Sequence, residues 1–69
     1  MYKYERIVYW SADDNAFIVE VPELPGCMAD GETVEEAIKN SELIIKEWIE
    51  VAVERGIDIP EPKGRLMYA

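Results

Sequence analysis

The sequence predicts an α+β fold. It reads as a two-layer β-β-β-α-β domain, with one long helix on one face of a mostly antiparallel sheet. Three observations lead there. Residues 33–56 form an amphipathic stretch with both ends marked, three short strand-like segments precede it, and a proline-bounded extended segment follows it. At 69 residues the chain makes a single domain, 1–69, with a core that leaves it only marginally stable.

The helix comes first because it organises the rest. Thr33 and Glu36 stand at capping-box spacing, so the threonine oxygen should take an orphan N–H while the glutamate reaches back to the cap. Glu35 and Glu36 favour the positive end of the helix dipole and Arg55 the negative end. Gly56 suits a left-handed terminus, with Pro60 shortly after. At 100° per residue, Val34, Ala37, Ile38, Ser41, Ile44, Ile45, Trp48, Ile49 and Ala52 share a side, and the charged residues gather opposite. Trp48 is expected as a packing anchor. Leu43 and Val53 fall outside the stripe, either as isolated exposed residues or as part of an interface.

Residues 4–10 are rich in aromatic and β-branched types and predict the first strand. Ile7 and Tyr9 should point to one face, and Tyr4, Val8 and Trp10 to the other. One helix cannot cover both, so this strand hints at a partner or a homo-oligomer. A hairpin loop is expected at 11–15 and a second strand at 17–21, with Phe17, Val19 and Val21 facing the core. The Val-Pro-Glu-Leu-Pro-Gly-Cys run ending at Cys27 forces a stiff reversal anchored by Leu24. A short strand at 27–29, an Asp30-Gly31 turn and the helix cap follow. After the helix, Pro60 and Pro62 keep the chain extended, and residues 65–68 are expected as a returning fourth strand.

Charge is the strongest bulk signal. The net charge is −8, and no lysine or arginine lies between Arg6 and Lys39. That interval holds Asp13, Asp14, Glu20, Glu23, Asp30, Glu32, Glu35 and Glu36, while the rest of the chain is balanced. Such a field repels nucleic acid and attracts a basic partner. With no histidine, imidazole acid–base chemistry is excluded. Cys27 lacks a base to activate it, and clustered carboxylates for a metal-dependent nuclease are not expected, since Glu20 should face away from the core and Glu36 is used by the cap. The chain is therefore read as a non-enzyme without cofactor or metal. It has no long apolar run and no signal-peptide pattern, and the lone cysteine suits a reducing compartment, so a cytoplasmic location is expected.

From Phe17 the sequence Phe-Ile-Val-Glu-Val-Pro-Glu-Leu-Pro-Gly-Cys is followed, at Asp30, by Asp-Gly-Glu-Thr-Val-Glu-Glu-Ala. Together with Trp-Ile-Glu at Trp48 and Ile-Pro-Glu-Pro-Lys-Gly at Ile59, this run resembles the HicB-like family, the antitoxins of HicA–HicB toxin–antitoxin pairs. The resemblance implies a partial RNase H-like fold and a non-catalytic role. That role is binding and neutralising a small basic HicA-like mRNA-cleaving toxin in a stoichiometric complex. Many relatives carry an additional C-terminal DNA-binding segment. The sequence ends at Ala69 without one, so direct nucleic-acid binding by this chain alone is not expected.

The acids expected to meet the toxin are Asp13, Asp14, Glu23, Asp30 and Glu32. Each has a plainer reading. Asp13 and Asp14 suit a hairpin, Asp30 a turn and Glu32 the approach to the helix. The alternative for the whole chain is a homo-oligomeric structural or regulatory module with no toxin.

Overall fold

A computed structural model describes residues 3–62. Three strands, β1 (Ile7–Ser11), β2 (Ala16–Glu20) and β3 (Met28–Gly31), precede a helix, α1 (Val34–Arg55). They form an antiparallel meander in the order β1-β2-β3, with β2 central. The α+β architecture predicted from the sequence is therefore present through α1. The expected fourth strand at 65–68 lies outside the described residues.

The strands differ in extent from expectation. β1 begins at Ile7 rather than Tyr4; residues 4–6 lie outside the sheet, and Tyr4 is buried in the core. The hairpin loop is confined to residues 12–15 and closes on Asn15, whose φ of 51° is a left-handed geometry asparagine tolerates. Ser11 Oγ donates to Asp14 Oδ2 at 2.9 Å across it. Asp30 and Gly31 are not a turn but the end of β3, paired with Ile18 and Phe17. Gly31 is held there by the helix. A Cβ on it would lie 2.5 Å from the Ala37 nitrogen, so only glycine lets the first helical turn sit so close.

Directly opposed residues share a face. Trp10 opposes Phe17, which opposes Gly31; Val8 opposes Val19, which opposes Ala29. That set faces α1, which packs chiefly on β3 and less on β2. Ile7, Tyr9, Ile18, Met28, Glu20 and Asp30 therefore occupy the other face. Val19 and Val21 are buried as predicted and Phe17 is partly buried. Ile18 is buried too, because a central strand is shielded by neighbours on both sides.

Both helix ends behave as their residues dictate, with one exception. Thr33 is extended and its Oγ1 accepts from the Glu36 N–H at 3.1 Å. Glu36 does not close the box on Thr33; its carboxylate accepts from the Glu32 N–H at 3.4 Å instead. At the other end Gly56 has φ 71°, and the Ile57 N–H reaches the Ala52 carbonyl at 2.8 Å, a Schellman closure.

The loop between β2 and β3 is two turns in series. Leu24 N–H bonds Val21 O at 3.1 Å and Cys27 N–H bonds Leu24 O at 2.9 Å. Pro25 and the positive-φ Gly26 occupy the positions a type II turn requires. This brings Tyr4, Val21, Leu24, Cys27 and Ile45 into one buried cluster, against which Ile44, Trp48 and Ile49 pack. The Trp48 indole N–H donates to Pro25 O at 3.0 Å, and the Tyr4 hydroxyl donates to Pro60 O, tying the post-helix segment to the chain's start.

Cys27 sits in this cluster, and burial pushes its thiol above the usual range, partly offset by the Arg6 guanidinium. At neutral pH the native protein should react with iodoacetamide far more slowly than urea-unfolded chain, because the thiolate is the nucleophile. Equal rates would mean that the cluster opens freely.

Candidate partner-binding surface

The two loops beside β2 lie at opposite ends of it, separated by about 16 Å of strand at roughly 3.3 Å per residue. Asp13 and Asp14 belong to the β1–β2 loop, and both are exposed. Antiparallel pairing brings the end of β3 back to that loop, so Asp30 and Glu32 lie at the same end of the sheet. Glu35 and Glu36, in the first turn of α1, extend the acidic region. Glu23 does not join it. It lies in the loop at the far end, half-buried, with its Oε1 accepting from the Glu5 N–H at 3.3 Å.

The acidic end runs directly onto an apolar one. Asp14 and Asp30 line a shallow depression of about 360 Å³ together with Ile18, Met28 and Ala29. Along the same open face Met28 is 47% exposed, Ile7 46% and Tyr9 41%. On the helix side of the sheet, α1 does not reach across β1. Trp10 is 51% exposed there, its ring edge-on to Phe17 at 5.0 Å. Both faces of β1 thus present large apolar side chains, as its poor alternation predicted. What the sequence reading lacked was Met28, whose place on the open face depends on β3 pairing with Glu20 and Ile18.

A second missed residue is Arg6. Its guanidinium bonds Glu42 Oε1 at 2.7 Å, locking the segment before β1 to the middle of α1. A contact between residues 36 positions apart leaves no local trace in the sequence.

Among the described residues no group of three or more acids or cysteines converges as metal ligands would. Nor is any helix among them long and apolar enough to cross a membrane. The surface combines exposed carboxylates with exposed apolar side chains.

The model of the HicB-like antitoxin of bacterial toxin–antitoxin systems matches residues 4–67. This chain belongs to that family. Two curated relatives agree in length as well as in sequence. A UPF0150 protein of Synechocystis sp. is 33% identical over 60 residues, covering 87% of this chain and 82% of its own. A UPF0150 protein of Thermoplasma acidophilum is 33% identical over 54 residues, covering 78% of each. No solved structure matches significantly. Membership of an antitoxin family points to a toxin partner and to a protein without catalytic work of its own.

Proposed function

We propose that this HicB-like protein acts in the cytoplasm, without catalysis, as the stoichiometric inhibitor of a small basic mRNA-cleaving toxin of the HicA type. The observation that carries this reading is the continuity between the acids at one end of the sheet and the exposed apolar face beside them. Asp13, Asp14, Asp30 and Glu32 form the charged part; Met28, Tyr9 and Ile7 form the apolar part. A toxin that grips RNA carries positive charge. The acids draw it in and set its orientation, while the apolar face supplies the contact that slows release. Glu23, at the far end of β2, stays outside this patch.

The test is titration against the HicA-like toxin of the same genome. Reversing Asp14, Asp30 and Glu32 together to lysine should weaken binding on the order of 100-fold at low salt, and should flatten its salt dependence. Glu23→Lys serves as the comparison and should change affinity by no more than about threefold. If the triple variant binds as tightly as the parent at low salt, the acidic patch plays no part.

A second reading is a homo-oligomeric structural or regulatory module that has no toxin. It is supported by β1, whose apolar side chains are exposed on both faces. Self-association and toxin binding are separable, and the surface for the first is considered next.

A further inference from the structure

We propose that the face along the C-terminal half of α1, which borders a groove, is a self-docking surface, packed against the same face of a second copy of this chain. The copies are antiparallel, related by a two-fold axis through Val51. This rests on the homo-oligomeric part of the reading above and not on toxin binding.

The groove holds about 530 Å³ between the turn at Pro25 and Gly26 and the helix, with Trp48, Val51 and Ile57 among its lining residues. Its exposed members are apolar: Val51 is 44% and Ile57 50% accessible. Two charged side chains also line it, Glu47 and Arg55. Both are exposed, and neither side chain has a hydrogen bond or ion pair with another described residue. Their spacing decides the occupant. Glu47 precedes Val51 by one helical turn and Arg55 follows it by one turn, so all three stack on one face.

A two-fold axis through Val51 reverses the order of that stack. Glu47 then meets Arg55 of the second copy and Arg55 meets its Glu47, so each interface forms the pair twice. A parallel in-register pairing would set glutamate against glutamate and arginine against arginine. Only the antiparallel copy satisfies all four charges, with the Val51 side chains meeting between helices about 8–10 Å apart. The interface is modest. If each copy buries about a tenth of its 5251 Å² surface, the total is roughly 1,000 Å², at the lower edge for specific association. At that size the charge pairs decide whether the dimer holds.

Sedimentation equilibrium of the full chain tests this at roughly 100 µM, well above a micromolar Kd. The parent should sediment at twice its 7.9 kDa monomer mass. Glu47→Arg and Arg55→Glu should each weaken the dimer about tenfold or more, since every interface then carries two repulsions. Mixing these two variants should restore a heterodimer, and the double variant E47R/R55E should restore a homodimer. Recovery on mixing also shows that neither variant has misfolded. A monomeric parent would overturn both the surface and the self-association. A dimer of unchanged Kd in both single variants would overturn the surface alone and move self-association elsewhere, such as to β1.

Discussion

Replacing Gly31 by alanine should destabilise the protein by about 3 kcal/mol or more, a large part of the roughly 3–10 kcal/mol expected for a domain of this size. The added Cβ would stand 2.5 Å from the Ala37 nitrogen and 2.9 Å from both Ala37 Cα and the Glu36 carbonyl carbon. All three are backbone atoms, so no side chain can swing aside. The first turn of α1 must lift off β3, and the Thr33 cap and the Glu32–Glu36 bond lift with it. One effect works the other way. Alanine restricts the unfolded chain and so favours folding by about 0.4–1 kcal/mol, which is too little to offset the clash. Gly56→Ala isolates the other cost of losing a glycine. A Cβ there meets nothing within 4 Å, and only the left-handed φ of 71° is penalised, by about 1–2 kcal/mol. Urea unfolding followed by circular dichroism should rank the two in that order. A Gly31→Ala protein with the parent's midpoint would mean that the helix does not rest on β3 as described.

How much of this could be read beforehand follows the range of the interactions involved. The helix was legible almost to the residue because its signals are local. Thr33, the first-turn acids, the 3.6-residue stripe and Gly56 all act within a turn or two of where they stand. The same holds for the turn at Pro25 and Gly26. Alternation along β2 correctly picked Val19 and Val21, but period-two reasoning assigns faces and is silent about ends. That is why Glu23 was grouped with Asp13, Asp14, Asp30 and Glu32 on charge alone. Once β2 is a straight strand, the loops at its two ends sit at opposite ends of the sheet, so Glu23 parts from Asp13 and Asp14, while antiparallel β3 carries Asp30 and Glu32 back to them. Gly31 was read as a turn residue because glycine is ambiguous without its neighbours, and its real constraint, Ala37, comes from the next element. Arg6 and Glu42 meet only through the completed fold. For the partner surface, the apolar excess of β1 was visible in composition. The depression joining it to Asp14 and Asp30 needed the register of all three strands.

Leu24→Ala should cost about 2–5 kcal/mol, the range for emptying a buried leucine site, and the upper part of that range is the expectation here. Leu24 is fully buried and is the one large apolar side chain of the loop between β2 and β3. Its neighbours cannot close over the gap easily. Val21 and Cys27 are fixed by the loop's own hydrogen bonds, and Trp48 is tethered to the Pro25 carbonyl. Ile45 is held by α1, and Tyr4 by its bond to Pro60. The cavity should therefore persist, and the loop that Leu24 anchors should open more often. Cys27 reports that opening directly, because its thiol lies in the same cluster. Each 1.4 kcal/mol lost from a local opening equilibrium raises exchange or labelling about tenfold, so iodoacetamide should modify Cys27 roughly 30-fold to more than 1,000-fold faster than in the parent. The two readouts distinguish local from global loss. Faster labelling with a barely shifted urea midpoint would mean that the loop opens independently of the sheet and helix. A joint shift would mean that Leu24 ties both layers into one cooperative unit. The shared cluster of Tyr4, Val21, Leu24, Cys27 and Ile45 favours the second outcome, because it draws on the start of the chain, the β2–β3 loop and the helix at once.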